Sequence, residues 1–318
     1  MLMNVSHRTS PRVAMVSLVG GAMLVGLSAC SEPTGAEPVQ LDGRVLTTFF
    51  PLESMATVIA GDAVEVRCPL PEGADPQFHK PTRAEMALYQ RASLVLTNGA
   101  GFERWLASAS LPPSRVVDTA SNFTEPLIEH TGMTHSHGFE GDHSHAGVDG
   151  HYWLDPLLAR EQARRCAQAM SRAFPEHADA FAAGLARLEA DLDGLHERFA
   201  AAVPPGTRLI ASHPAYDYLA RRYGWKVHSL DLDPKAPLSE EQFAELERVN
   251  GSLEPALILW ESEALPATRE SLETRLGLRS VVFSPAENPS AAQRAQGATF
   301  LDILVANLQA LEAALGEE

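Results

Sequence analysis

The sequence predicts an α/β fold of two lobes, each with a mainly parallel sheet flanked by helices, joined by a long helix. Three observations carry that prediction. Short β-rich runs alternate with helical patterns from Arg44 to Trp105, and the alternation resumes at Arg208. Between them, His177 to Val203 places Phe181, Leu185, Leu188, Leu192, Leu195 and Phe199 at three- and four-residue spacing, with no break before Pro204-Pro205-Gly206. That periodicity supports a core helix as well as a connector.

Taken in order, residues 1–30 have the features of an export signal. His7, Arg8 and Arg12 form a basic start, Val13 to Leu27 is apolar but short, and Leu27-Ser28-Ala29-Cys30 has the form of a lipoprotein cleavage site, with Cys30 as the lipidated residue. Residues 31–40 are polar and contain Pro and Gly, as a tether requires. The first lobe is expected over 41–175, the connector over 176–204 and the second lobe over 205–318. In the first lobe Arg44–Phe50 reads as a strand, Pro51–Ala60 as a helix and Val64–Cys68 as a strand, which makes a βαβ unit. Pro69 to Pro81 holds too many prolines for regular structure and is a loop. A helix follows from Thr82 to Arg91, a strand from Ser93 to Thr97, and a turn at Asn98-Gly99-Ala100-Gly101 leads into a helix carrying Glu103 and Trp105. Arg104 stands where a dinucleotide fingerprint needs its third glycine, so that reading is rejected.

Pro156–Phe174 forms a helix that Pro175 ends. In the second lobe the strands are Arg208–Ala211, Trp225–Leu230, Ala256–Trp260 and Ser280–Phe283. Ser239-Glu240-Glu241-Gln242 fits a capping box, and Pro289 onward is one long C-terminal helix. His213 and Glu261 each directly follow a strand or the residue after it. They share an address at the carboxyl edge of a parallel sheet, where α/β folds place ligands.

Six of the twelve histidines lie between His130 and His151. His130, His135, His137, His143 and His145 sit in a Gly/Asp/Ser-rich run, 130–150, with almost no apolar residues. This composition reads as a mobile loop that collects metal through exchangeable imidazoles. His151 differs, because the apolar Tyr152-Trp153-Leu154 and the helix start Asp155-Pro156 hold it at the rim of an ordered domain. The formal charge is −16. It argues against nucleic acid as a partner and suits a cation. Cys68 and Cys166 lack Cys-x-x-Cys spacing and are expected as free thiols.

Several motifs in sequence carry a resemblance. Gly73-Ala74-Asp75-Pro76 before a proline-marked helix start, Asn98-Gly99 with Gly101-Phe102-Glu103, the His-rich insert, His151-Tyr152-Trp153-Leu154-Asp155-Pro156, Ser212-His213-Pro214-Ala215-Tyr216 and Arg222-Tyr223-Gly224 recur in that order. Together they resemble the zinc/manganese-binding lipoproteins of bacterial ABC importers, the cluster A-I solute-binding proteins, over essentially the whole chain beyond the signal. The resemblance implies an extracytoplasmic, lipid-anchored monomer that binds Zn2+ as cargo, or Mn2+, between its lobes and delivers it to a permease and its ATPase. It also implies that the connector is rigid, that no catalysis occurs, and that His151 and His213 are ligands. The family's Asp-Pro-His reads Asp75-Pro76-Gln77 here, so His79 is the candidate for the first ligand, with Gln77, water or a loop histidine as alternatives. Ser284 stands where the family often has aspartate, which makes Glu261 the carboxylate candidate. Asp155 is expected to cap its helix, and Asp231 and Asp233 to be solvated loop acids. A secreted zinc hydrolase with Glu261 as base is the rival reading. Against it, His196-Glu197 continues Arg198-Phe199-Ala200 without a second histidine, and Gly-x-Ser-x-Gly is absent. A surface adhesin or metal buffer is the third.

Overall fold

The computed structural model describes residues 40–130, 134–136, 142–144, 147–253 and 257–316, with the backbone alone for 130, 134–136, 142–144 and 252–253. The expected signal with Cys30, nearly all of the tether, and His137 and His145 lie outside these residues. In the first lobe β1 (Val45–Thr47), α1 (Phe50–Ala60), β2 (Val66–Arg67), α2 (Arg83–Arg91), β3 (Leu94–Thr97) and β4 (Val116–Asp118) build a sheet of order β2-β1-β3-β4. Every pairing in it is parallel. The central strands β1 and β3 are buried throughout. Helices cover both faces of such a sheet, so its strands are apolar runs without alternation. α2 starts where Thr82 and Glu85 form a reciprocal capping box. The expected helix around Trp105 is only a 3-10 turn, Arg104–Ser108, and Glu103 before it is turned inward.

The insert is not a structureless loop in its described parts. β5 (Glu129–His130) pairs antiparallel with β8 (Gly147–Val148), and β6 (Thr134–Ser136) pairs with β7 (Asp142–Ser144), bringing the backbones of His135 and His143 opposite each other. In the Thr-His-Ser and Asp-His-Ser runs only Thr134 favours a strand and Asp142 disfavours one, so composition gives no signal for this pairing.

After a 3-10 turn at His151–Leu154 come α3 (Pro156–Ala173) and α4 (Ala178–Ala202). The second lobe comprises β9 (Arg208–Ala211), α5 (Asp217–Tyr223), β10 (Lys226–Ser229), α6 (Glu240–Leu253), β11 (Leu257–Trp260), α7 (Pro266–Leu276) and β12 (Arg279–Val282). Its sheet, order β10-β9-β11-β12, is again parallel throughout. Ser239 and Gln242 exchange the expected capping-box bonds. The single C-terminal helix expected from Pro289 is two helices, α8 (Ala291–Ala295) and α9 (Phe300–Gly316). Thr299 and Asp302 restart it with a box of their own: the Asp302 carboxylate accepts from the Thr299 amide, and the Thr299 hydroxyl accepts from the Asp302 amide.

α4 serves both lobes. It packs against α1, α3 and α9. Its buried residues Phe181, Leu188, Leu192, Leu195 and Phe199 join one apolar cluster that runs from Phe49 and Leu94 to Leu209 and Phe283. The helix therefore lies in a core that both lobes share. Gly184 lets α1 approach, since a Cβ there would sit 2.4 Å from the Ile59 carbonyl oxygen. Among the described residues no helix is long and apolar enough to cross a membrane. Cys68 and Cys166 are free, the second fully buried.

Candidate metal centre between the lobes

In the first lobe the ends of β1 and β3 build a support. The buried Glu103 carboxylate accepts from the Thr48 hydroxyl and from the amides of Asn98 and Gly99. Burial holds its carboxyl above the ordinary range in spite of those bonds. The Asn98 amide donates to the Gly150 carbonyl at 3.0 Å, and Gln162 donates to Asn98 Oδ1 and to Thr119 Oγ1. The Tyr152 hydroxyl donates to the Asn98 carbonyl at 2.7 Å. Gly150 has no room for a side chain, because a Cβ would lie 2.3 Å from the Phe102 ring. This network fixes the turn that presents His151.

His151 is 5% exposed. Asp149 Oδ1 accepts its backbone N–H at 2.9 Å and lies 2.7 Å from its ring Nδ1. The other ring nitrogen, Nε2, is 3.2 Å from Glu287 Oε1. Burial disfavours the imidazolium, but the carboxylates of Asp149 and then Glu287 outweigh it and push His151 up to about 10 from an ordinary 6.5.

The second lobe supplies its groups directly from strand ends. Ser212 continues β9 by donating to the Leu259 carbonyl, and His213 follows it. Glu261 follows β11, its amide 3.4 Å from the Ser212 hydroxyl. Because β9 and β11 are parallel neighbours, the two side chains emerge together, with Glu261 Oε2 3.9 Å from His213 Nδ1. The rings of His213 and His151 meet edge to face, 5.5 Å between centroids.

Glu287 was not among the residues singled out from sequence. It sits on the turn after β12, and that turn is fastened at both ends to the first lobe. Trp153 Nε1 donates to the Pro285 carbonyl at 2.8 Å, and the Asn288 amide donates to the Ala74 carbonyl at 2.8 Å. Ser284 shapes the turn: its hydroxyl accepts from the Ala286 amide, its own amide donates to Asn307 Oδ1, and Ala286 takes a left-handed φ of 62°. The serine thus forms the turn, and the carboxylate comes three residues later.

The structure gives His79 a different neighbour. Its Nε2 is 3.3 Å from Glu85 Oε2 in the same lobe. Asp75 Oδ1 accepts from the amides of Gln77 and Phe78, holding the loop in a tight turn. Asp155 caps α3 through the Leu157 amide as expected, and its second oxygen also pairs with Arg222 Nε at 2.8 Å across the lobes. Burial keeps its carboxyl above the ordinary range even so, although Arg222 pulls the other way. Asp233 accepts from the Lys235 amide, within its own loop.

Among the described residues no group of three or more His, Cys, Asp or Glu side chains is drawn together tightly enough to enclose a metal ion. The donor set nevertheless fits one. Two imidazoles and two carboxylates suit zinc or manganese, and ligands around a tetrahedral zinc sit roughly 3.3–3.6 Å apart. The 3.2 Å between His151 Nε2 and Glu287 is close to that edge, and the 3.9 Å between His213 and Glu261 is slightly beyond it.

The family described as the periplasmic zinc-uptake complex component A matches residues 45–314. The zinc-binding lipoprotein AdcA of Streptococcus pneumoniae is 25% identical over 309 residues, covering 92% of this chain and 59% of that protein, so the chain spans well under two thirds of its length. The high-affinity zinc uptake system protein ZnuA of Bacillus subtilis is 27% identical over 281 residues, covering 86% of this chain and 87% of that one. Two crystal structures superpose with a TM-score of 0.74 each. The metal-dependent lipoprotein YcdH from Bacillus subtilis is 24% identical and covers 86% of this chain and 98% of its own. Zn(II)-bound AdcA from Streptococcus pneumoniae is 22% identical and covers 88% and 58%. At those identities the likeness establishes the fold, two parallel-sheet α/β lobes flanked by helices.

Proposed function

The chain belongs to the periplasmic zinc-uptake complex component A family, and on that premise we propose that it is the extracytoplasmic metal-binding subunit of an ABC importer. It captures Zn2+ between its lobes and delivers it to a membrane permease and its ATPase. The observation that carries this reading is the meeting of His151 from one lobe with His213 from the other, with the carboxylates of Glu287 and Glu261 beside their ring nitrogens. In this reading His151 and His213 supply nitrogen, and Glu287, with Glu261 next to it, supplies oxygen. His79 reaches the ion only by leaving Glu85. His130, His135, His137, His143 and His145 act as weak, exchangeable sites in the insert. Residues 1–30 direct export, and Cys30 anchors the protein in lipid as a monomer. Capture and release make and break only metal–ligand bonds, so no enzymatic role is assigned.

The support is the family match together with the names of the relatives, which describe zinc binding and zinc uptake for those proteins. Calorimetric zinc titration of the purified chain tests the reading. One tight site should remain when 131–146 is deleted and should disappear in His213→Ala. A tight site that survives His213→Ala and disappears with the insert would instead make the insert a metal buffer and reject the interlobe site.

A further inference from the structure

His151 has two ring nitrogens, and only one of them can face a cation held between the lobes. Which one does so is decided by what the other is bonded to. Here Nδ1 lies 2.7 Å from Asp149 Oδ1, and the Asp149 side chain is itself 1% exposed. An ionised carboxylate only accepts, so the proton in that bond belongs to the imidazole. The same oxygen accepts the His151 backbone N–H at 2.9 Å, and therefore ring orientation and backbone turn are set by one atom.

A turn-forming role accounts for one of this side chain's contacts and leaves the bond to the ring beside it. The Asp149 backbone already closes the root of the insert: its amide donates to the Ile128 carbonyl at 2.8 Å, and its carbonyl accepts from the Tyr218 hydroxyl at 2.9 Å. An Asp side chain bonded to an amide two residues on is an ordinary turn device. The additional contact to Nδ1 goes beyond it, and it leaves Nε2 directed at Glu287 and the second lobe.

We propose that Asp149 is a positioning residue for metal capture: its buried carboxylate holds His151 Nδ1–H and turns Nε2 toward the cation, so the direction of the ring is set before the ion arrives and Nε2 releases its proton to solvent as the ion binds. The inference rests on the interlobe site proposed above. It assigns to the two carboxylates around His151 different tasks. Glu287 shares the ion with Nε2, whereas Asp149 acts only through the imidazole.

Asp149→Ala and Asp149→Asn in the full chain test it, with zinc affinity read by competition against a chromophoric chelator and site geometry by the visible spectrum of the Co(II)-loaded protein. Removing an outer partner of a ligating histidine costs about 10–100-fold in metal affinity. Asp149→Ala should lose that much and shift the cobalt bands. Asp149→Asn keeps an acceptor oxygen for Nδ1–H and should recover most of the spectrum and part of the affinity. If Asp149→Ala melts at a lower temperature but binds zinc within twofold of the parent, with unchanged cobalt bands, Asp149 merely shapes the turn and the proposal falls. His151→Ala separates the two levels. Parent-like zinc binding in that variant would overturn the interlobe site itself, whereas lost binding there with parent-like Asp149→Ala would overturn the role of Asp149 alone.

Discussion

The two lobes share a sheet order yet use corresponding strand ends for opposite purposes. Reading β2-β1-β3-β4 against β10-β9-β11-β12 places β1 beside β9 and β3 beside β11. In the second lobe the residues at those strand ends, His213 and Glu261, are the ligands proposed above. In the first lobe Thr48 and Asn98 occupy the equivalent edge, and both are bonded to the buried Glu103. The first lobe's proposed donor comes later, His151 on a turn that Asn98 holds through Gly150. The carboxyl edge of a parallel sheet is thus a place where backbone ends converge, and the chain can fill it with a donor or with the support for one.

Four predictions test that contrast, beginning with the largest effect. Glu103→Ala strands three donors in the core and should lower the free energy of unfolding by about 3–5 kcal/mol in a denaturant titration. Loss of zinc affinity with stability unchanged would put Glu103 among the ligand groups and erase the distinction. Next, Glu287→Ala should weaken zinc binding by about 10–100-fold, roughly 1.4–2.7 kcal/mol, in the same chelator competition. Parent-like affinity would leave Glu261 as the carboxylate.

The third prediction concerns pH. Because the folded pKa of His151, about 10, lies above its ordinary 6.5, its contribution to the stability of the metal-free protein is complete below about 6.5 and is lost as pH rises through about 10. Melting temperature should therefore decline across that interval, and the decline should flatten in His151→Gln. A slope unaffected by the substitution assigns the titration to other groups. Smallest of all, Glu261→Ala should change stability by no more than about 0.5 kcal/mol, as for a partly exposed side chain outside the core. A loss of several kcal/mol would show that the second lobe also uses its strand end as scaffold.

Much of this was legible in the sequence. Alternating apolar runs gave the two parallel sheets, and the placement of His213 and Glu261 at strand ends followed from strand boundaries, whereas the pairing of β9 with β11 that brings them together did not. His151 was marked by the change from a polar run to Tyr152-Trp153-Leu154. Glu287 was not legible, because its position depends on a turn set by Ser284, Asn307 and the left-handed Ala286, on a bond from Trp153 to the Pro285 carbonyl and on one from Asn288 to the Ala74 carbonyl, all between residues remote in sequence. No periodicity encodes such contacts. The break before α9 was missed because Ala on both sides favours helix; Gly297, at a left-handed φ of 69°, and the Thr299–Asp302 box mark it.

Tyr218 has a consequence for how such a chain can vary. Its single hydroxyl accepts from the Ile128 amide and donates to the Asp149 carbonyl, so α5 holds both strands of the insert where they leave the lobe. With the ends fixed there, lengthening the segment between them costs little, about 0.6 kcal/mol of closure entropy for each doubling. Histidines can then be gained or lost in the insert over generations while Asp149 and His151 stay in place, and the weak metal binding proposed for the insert becomes a trait that selection can tune independently of the proposed interlobe site.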